Sequence, residues 1–340
     1  MSVAVIDCVA VVGTGSAGRR HAATLRRSLP NAELVVVQRV GSNQSSAPFV
    51  DIGARLVPTV EDALTFRPRV AVVASPAPFH RPAAELFFAE GAHVLVEKPL
   101  ADVSEEADAV VRAARTARRE LVVGYHLRYG DTVPRLKQLV DEGAIDEPIT
   151  FRLAVGQHLA QWRPGTDPLR SVSARRELGG GVLLELSHEL DGLRYLLGEV
   201  HELSARLSYT GAPTDGLVET EAELALRMTT GVVGEIHLDM VSSVPFRRWE
   251  LGGTSGRLVA DLLTGRIERT DLSGTSTIVA AFPPGERDRA ENQLVANLLA
   301  AAGGLARPAC TGADGLAAVA LVEAASASAR SGQPQVVSTA

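Results

Sequence analysis

The sequence predicts an α/β domain built on a doubly wound parallel sheet, followed by an α+β domain with a large open antiparallel sheet. In the first 125 residues, short uninterrupted apolar runs alternate with segments of helical periodicity, which is typical of a parallel sheet covered on both faces. After about residue 150 the strands are longer, partly alternate apolar and polar residues, and meet at Thr-Gly and Ser-Gly turns, which favours antiparallel pairing. The length of 340 residues fits two domains. We therefore predict a first domain over residues 1–125 and a second over 126–340.

The elements follow in order along the chain. In the first domain the predicted strands are VAVVGTG, AELVVVQR, VAVVAS, HVLVEKP and LVVGY, and the predicted helices are RRHAATLRRSL, TVEDALTFRP, FHRPAAELFFAEG and SEEADAVVRAARTARR. The second domain is predicted to hold strands in PITFRLAVGQH, ELSARLSYTG, VETEAELALRMTTGVVGEIHLDMV, FRRWELGGTSGRLVADLLTGRIERTD and TSTIVAAF. One helix is expected around residues 180–197, and two more close the chain, in RAENQLVANLLAAAG and GADGLAAVALVEAASASARSG.

The composition narrows the class of protein. A formal net charge of −6 and a pI near 5.8 argue against a nucleic-acid binder, which should carry a basic face. No run approaches 18 apolar residues, so we expect no membrane span. Cys8 and Cys310 form no CxxC pair and no metal-ligand cluster, and we interpret them as reduced structural thiols. Together with an N-terminus that leads straight into a strand, this predicts a cytoplasmic protein without a metal site.

A complete G-x-G-x-x-G follows the first strand and opens the first helix: Gly13, Thr14, Gly15, Ser16, Ala17 and Gly18. The first glycine allows a tight turn, the second lets a pyrophosphate approach the backbone, and the third lets helix and strand pack closely. The helix N-terminus then offers amide donors to the phosphates. We therefore expect this segment to bind a dinucleotide; the alternative is a glycine-rich turn without a ligand.

The end of the second strand indicates which dinucleotide. A site selective for NAD carries an acidic residue there for the ribose 2′-hydroxyl, but the sequence reads Val37-Gln38-Arg39-Val40-Gly41-Ser42, with no carboxylate before Asp51. An arginine among small polar residues suits a 2′-phosphate. We predict that NADP(H) is preferred and NAD(H) possible, unless Arg39 stacks on the adenine without selectivity.

Lys98 is unusual in this chain, since only it and Lys137 are lysines among 34 basic residues. Arginine holds its proton permanently, whereas the ammonium group of lysine can release one. Lys98 is therefore a candidate proton donor at the end of a strand, although chance could also have left a lysine there.

The order of several blocks resembles the Gfo/Idh/MocA family of dehydrogenases. The glycine motif, ASPAPFH, AEGAHVLVEKPLA and VGYHLRY occur in sequence, followed by ELGGGVLLELSHELDGLRYLLG and RRWELGGTSGRLVADL. The resemblance implies a Rossmann domain and an open-faced sheet used for substrate binding and for contact within a homodimer or homotetramer. It implies that Lys98 gives a proton to, or takes one from, the substrate oxygen. Glu97 would orient Lys98 unless it is only a partner charge. By the same resemblance, Ser75, Pro76, His80 and Glu97 are expected to bind the cofactor.

The second catalytic block departs from the common family pattern. Glu185, His188 and Asp191 are three residues apart, which predicts one helical face, and the sequence is one residue shorter between the glycines and the histidine. By resemblance, His188 is the proton partner or a ligand of the substrate hydroxyl, Glu185 takes the place of the usual aspartate, and Asp191 binds substrate. His188 could instead be a core histidine, and Glu185 could be structural.

The remaining substrate-binding candidates are Tyr125 and Arg128 in GYHLRY and, in the loop before residue 180, Trp162, Arg163 and Arg175. His126 replaces the asparagine common in the family. A tryptophan face with arginines suits a sugar ring that carries an anionic group; the alternative is solvated loop arginines.

These observations predict an NADP(H)-dependent oxidoreductase that acts on a secondary alcohol or ketone of a sugar, nucleotide sugar or cyclitol. The small carbohydrate-like substrate itself is not specified by the sequence. Two alternatives stay open: a redox-neutral glycoside-cleaving or epimerising enzyme with tightly bound NAD, and a non-catalytic cofactor sensor.

Overall fold

The computed structural model describes residues 6–41, 44–162, 167–209 and 218–337. The chain forms two compact units, the first made of Met1–His126 and Asp288–Leu316, and the second of Leu127–Arg287 and Ala317–Ala340. The sequence-based division had assigned residues 288–316 to the second domain. They pack in the first because Thr311 forms a bridge with Val122 and Gly312 lies against Leu121 so closely that a Cβ would stand 2.6 Å from its side chain.

The first unit contains a six-stranded, wholly parallel sheet in the order β3-β2-β1-β4-β5-β6. Its strands are β1 (Cys8–Val12), β2 (Glu33–Val37), β3 (Arg55–Val57), β4 (Val70–Val73), β5 (His93–Val96) and β6 (Leu121–Val123). The helices between them are α1 (Ser16–Ser28), α2 (Ala47–Val50), α3 (Val60–Leu64), α4 (His80–Ala89) and α5 (Ser104–Ala117). The predicted doubly wound sheet is confirmed. The sequence missed β3 because its three residues are exposed or only half-buried, so they carry no apolar run.

The second unit contains a nine-stranded sheet in which β7 and β10 run parallel and the other described pairs are antiparallel. Its strands are β7 (Pro148–Gly156), β8 (Val200–Ser208), β9 (Glu221–Met228), β10 (Val233–Asp239), β11 (Phe246–Gly253), β12 (Gly256–Asp261), β13 (Arg266–Asp271), β14 (Ser276–Ala281) and β15 (Gln335–Val336). The α-helices of this unit are α6 (Thr132–Asp141), α7 (Leu159–Trp162), α8 (Val182–Glu185) and α9 (Ser187–Leu197). Near the end of the chain, α10 (Glu286–Ala302) lies mostly in the first unit and α11 (Gly312–Ser331) mostly in the second. The predicted large open sheet is therefore confirmed.

One face of this sheet forms the core of the second unit, around the fully buried Trp249. The α9 helix packs there through Gly192, since a Cβ at that position would overlap the indole of Trp249. The outer face is charged: β9 alternates buried and exposed residues, and Arg152 pairs with Glu235 at 2.8 Å. Because the outward positions of the central strands hold such ion pairs, this face is not an apolar surface. Assembly through this face stays a prediction.

The helix expected around residues 180–197 is interrupted. Leu186 ends α8 and precedes α9 with φ −103° and ψ 19°, outside helical geometry. Glu185 therefore belongs to a different helix from His188 and Asp191, and the expected single helical face holds only for the latter two. Within the described ranges, no helix combines the length and the apolar composition needed to cross a membrane.

Candidate functional site

Three loops of the first unit leave the same edge of its sheet. Strands β1, β4 and β5 are parallel neighbours, and their carboxyl ends lead into Gly13, Ala74 and Glu97 respectively. Open α/β sheets bind ligands outside these carboxyl ends, where strand order reverses. Here the order reverses at β1, which lies between β2 and β4. The predicted cofactor residues and Lys98 are thus brought to one edge.

The three motif glycines are required for different reasons. Gly13 has φ +101°, and a Cβ there would stand 2.6 Å from the carbonyl oxygen of Ala74. A Cβ on Gly18 would overlap the carbonyl oxygen of Gly13. Gly15, with φ −72°, has no atom within 4 Å of its would-be Cβ. The fold itself therefore does not require glycine at position 15, which fits a surface that a dinucleotide approaches.

The start of α1 is suited to an anion. Its first turn has no acidic residue, and Ser16 is exposed while Thr14 is buried. Backbone amides and the helix dipole favour negative charge at such an end. Arg39 follows β2 and is exposed. These residues fit the pyrophosphate and the ribose end of a dinucleotide.

His80 lies between two of the loops rather than on their surface. It is 1% exposed; Nε2 lies 2.7 Å from the carbonyl oxygen of Ser75, and Nδ1 lies 3.1 Å from that of Pro99. Burial lowers the pKa of His80, against the effect of these carbonyls. The ring thus lies between the loop after β4, with Ser75 and Pro76, and the segment that follows Lys98.

Glu97 is held by a histidine that sequence reasoning did not single out. His21 Nε2 lies 2.7 Å from Glu97 Oε1, and Glu97 Oε2 accepts the backbone N–H of Lys98 at 3.1 Å. Burial alone would raise the pKa of Glu97, but the hydrogen bond from His21 and the charges of His21, Arg20 and Lys98 lower it to about 2. Glu97 is therefore ionised beside Lys98. The Lys98–Pro99 peptide bond is cis.

The other nitrogen of His21 has an acidic neighbour too. Nδ1 lies 2.9 Å from Glu291 Oε1, a residue of α10. Burial alone would lower the pKa of His21, but the carboxylates of Glu291 and Glu97 outweigh it and raise the pKa to about 9. The ring is fully buried and charged at neutral pH. A histidine on the apolar face of α1, four residues before Leu25, was the one signal in the sequence.

Tyr125, a predicted substrate residue, follows β6 and is fully buried. Its backbone N–H donates to the carbonyl oxygen of Val123 at 2.8 Å. The tyrosine thus contributes to the packing of the first unit.

The second unit gives Glu185, His188 and Asp191 separate partners. Glu185 Oε1 accepts the Ser173 hydroxyl at 2.9 Å. His188 is 7% exposed, with Nε2 3.5 Å from Glu189 Oε1.

Asp191 is fully buried and takes both arms of the Arg128 guanidinium, with Nε–Oδ2 at 2.9 Å and Nη2–Oδ1 at 2.7 Å. Arg128 also lies over the ring of Tyr195, 5.1 Å from its centroid. The sequence predicted Arg128 and Asp191 as separate substrate contacts, whereas the structure joins them in one bidentate pair.

Glu189 is a buried acid that sequence reasoning missed. Its Oε2 accepts the indole N–H of Trp249 at 2.7 Å, and Oε1 lies 2.5 Å from Arg247 Nη2. Burial raises the pKa of Glu189 despite Arg247. Because its partners come from β11, some 60 residues away, no local pattern could have indicated this cluster next to His188.

The loop candidates are placed as follows. The indole N–H of Trp162 donates to the carbonyl oxygen of Gln157 at 2.9 Å, and Arg175 is exposed and paired with Glu177 at 2.6 Å. Arg163 lies outside the described residues. An exposed pair between neighbours is worth little to stability, so Arg175 retains the freedom of a surface side chain.

Comparison with known protein families finds a match in each of the two domains. Residues 8–125 match the Gfo/Idh/MocA oxidoreductase family with its NAD-binding Rossmann fold, and residues 133–259 match the C-terminal domain of that family. An inositol 2-dehydrogenase from Rubrobacter xylanophilus is 30% identical over 97% of this chain and 93% of its own.

Solved structures of other proteins share this fold. GenD2 from gentamicin A biosynthesis, in complex with NAD, is 25% identical, with a TM-score of 0.82 over 99% of this chain and 98% of its own. A levoglucosan dehydrogenase in complex with NADH has the same fold, with a TM-score of 0.84 at 20% identity over 98% of this chain and 99% of its own. Since the two domain models of the family together match most of the chain, it belongs to the Gfo/Idh/MocA family of NAD-binding oxidoreductases.

Proposed function

We propose that this oxidoreductase transfers a hydride to or from the secondary alcohol or ketone carbon of a sugar, nucleotide sugar or cyclitol, with NADP(H) as the preferred dinucleotide. The observation that carries the proposal is Lys98, at the carboxyl end of β5 on the same sheet edge as the glycine loop. The inositol 2-dehydrogenase among its relatives supports a polyol as substrate.

Lys98 is the proposed proton donor and acceptor. A bound nicotinamide would supply the hydride exchange at the substrate carbon. Lys98 moves the proton at the substrate oxygen, since an ammonium group can give up its proton and a guanidinium cannot. The ionised Glu97 beside it keeps a compensating negative charge at this end of the strand.

The other residues have supporting roles in this proposal. His188 assists at the substrate hydroxyl, and Glu185 stands in for the aspartate usual in the family. Trp162, Arg163 and Arg175 are offered as substrate contacts, whereas the predicted substrate residues Arg128 and Asp191 bind each other. The choice of NADP(H) depends on Arg39, because no acid ends β2.

The experiment that tests the proposal is a screen of myo-inositol and related polyols with NADP⁺ and with NAD⁺, for the wild type and for Lys98→Arg. Arginine keeps the charge but does not release a proton to the substrate oxygen, so kcat should fall about 10²- to 10⁴-fold while NADPH still binds. Lys137→Arg is the matched control: it replaces the other lysine, which pairs with Asp141 on the exposed side of α6, and should keep full turnover. Wild-type turnover in Lys98→Arg would refute the role of Lys98.

A further inference from the structure

Glu97 belongs to a largely buried charged cluster in the first unit, and the other members of this cluster have no part in the proposal so far. The cluster comprises Arg20 and His21 from α1, Glu97 after β5, and Glu291 from α10. The side chain of His21 is fully buried, and those of Glu97 and Glu291 are 13% and 6% exposed. Arg20 Nε lies 3.8 Å from Glu291 Oε2. Buried carboxylates are tolerated only when they are paired, so the cluster depends on the cation at its centre.

The geometry requires His21 to carry two protons. A neutral imidazole has one N–H, so one of the two carboxylates would face a ring lone pair at 2.7 or 2.9 Å. The imidazolium donates from Nε2 to Glu97 and places its second N–H beside Glu291, with which it forms an ion pair. The same geometry disfavours a metal ion, because Glu97 and Glu291 approach different nitrogens of one ring and the guanidinium of Arg20 already adds positive charge to Glu291.

We propose that His21, fixed by Glu291, is the positioning residue of the Lys98 segment. The imidazolium holds Oε1 of Glu97, which leaves Oε2 to accept the backbone N–H of Lys98. Glu291 holds the opposite edge of the ring, so the ring cannot rotate without losing a charged partner. A residue of α10 thereby sets the orientation of the lysine, and the effect on turnover rests on the proposed function.

The hold of His21 on Glu97 depends on pH, because it requires the charged form of the ring. The groups that face His21 and Glu97 are Arg20, Glu291, Lys98 and His80. The pKa of His21 is raised from 6.5 to about 9, so its contribution is complete below pH 6.5 and is lost as the pH rises through about 9. Replacing Glu291 by glutamine removes one of the two carboxylates and should move that loss to lower pH.

The test uses two variants, His21→Gln and the isosteric Glu291→Gln. If His21→Gln does not fold, Glu291→Gln alone tests the positioning role. The readout that needs no activity is reductive methylation with ¹³C, because the chain has two lysines, whose dimethylamino resonances are separate from that of the α-amino group. Lys137→Arg and Lys98→Arg assign the two lysine resonances. We expect the Lys98 resonance to move in both variants and the Lys137 resonance to stay.

The matched control is His237→Gln. His237 also lies between two acids, 2.5 Å from Glu223 and 2.9 Å from Asp239, but in the second unit. Its hydrogen bond with Asp239 raises its pKa to about 9 as well, against burial. This variant should move neither lysine resonance and should keep turnover.

With a substrate in hand, His21→Gln should lower kcat about tenfold to a hundredfold, the range expected when a catalytic group is misplaced, with the NADPH dissociation constant unchanged. The alkaline limb of the kcat profile should shift to lower pH in Glu291→Gln, which a purely structural role would not produce. A Lys98 resonance that is identical to wild type in folded variants overturns the positioning role. If the wild type turns over no polyol while the resonance still moves, the proposed function fails and the positioning role stands.

Discussion

Replacing Gly15 by alanine separates what a ligand requires from what the fold requires. Gly15 has φ −72° and ψ −172°, a region open to alanine, and its would-be Cβ has no atom within 4 Å. The unfolded chain loses conformational freedom with alanine, so the free energy of unfolding of the cofactor-free protein should stay unchanged or rise by up to about 1 kcal/mol. The methyl group would stand where the pyrophosphate approaches the backbone.

The expected loss is therefore in binding alone. Overpacking a close contact costs about 1–3 kcal/mol. This corresponds to a dissociation constant about 5- to 150-fold larger for NADH and NADPH. Gly18→Ala is the contrasting variant, because its Cβ overlaps the carbonyl oxygen of Gly13. It should lower the free energy of unfolding by about 1–3 kcal/mol even without cofactor.

Urea denaturation without cofactor and fluorescence titration with each dinucleotide measure the two effects on the same samples. If Gly15→Ala bound NADH with wild-type affinity, the cofactor could not approach the backbone at this glycine. If Gly15→Ala were instead destabilised as much as Gly18→Ala, the inference that a Cβ at position 15 meets no protein atom would be wrong. Either result would refute the reasoning.

Two further substitutions test other parts of the site. Arg39→Ala should reduce the preference for NADPH over NADH about tenfold or more, the worth of a charged hydrogen bond; an unchanged ratio of dissociation constants would remove Arg39 from cofactor selection. Asp191→Asn leaves the guanidinium of Arg128, which is 7% exposed, without its charged partner, and should lower the free energy of unfolding by about 3–5 kcal/mol. A loss below about 1 kcal/mol in urea denaturation, typical of an exposed pair, would contradict the buried ion pair.

Local patterns in the sequence were sufficient for the two kinds of sheet. The apolar runs of β1, β4 and β5 are fully buried or nearly so, and that continuity is what a parallel sheet imposes on its strands. The glycine motif was equally predictable, because its spacing is contained in six consecutive residues, although the close neighbour of Gly13 is the distant Ala74. Short or irregular elements were not readable: β3 has too few residues, and the break at Leu186 interrupts a periodicity that otherwise looks helical.

The site was less predictable wherever it depends on distant partners. His21 and Glu97 are 76 residues apart, and Arg128 and Asp191 are 63 apart. Neither pair has a periodicity that connects it, because ion pairs across a core are set by tertiary packing rather than by neighbours in sequence. Lys98 could be singled out because lysine is rare here, whereas Glu189 could not, in a chain that has 40 acidic residues.

The first unit consists of two segments that are separated in sequence by most of the second unit. It can therefore be completed only late in synthesis of the chain. Glu291, the partner of His21, and Thr311, which bridges to Val122, leave the ribosome only after the whole stretch from Leu127 to Arg287. At ordinary rates of synthesis that stretch takes about ten to thirty seconds. During this interval the part of the first unit already synthesised contains Glu97 and His21 but lacks the acid that completes their cluster. A fragment that ends near residue 126 would lack residues 288–316 and would therefore be an incomplete first unit.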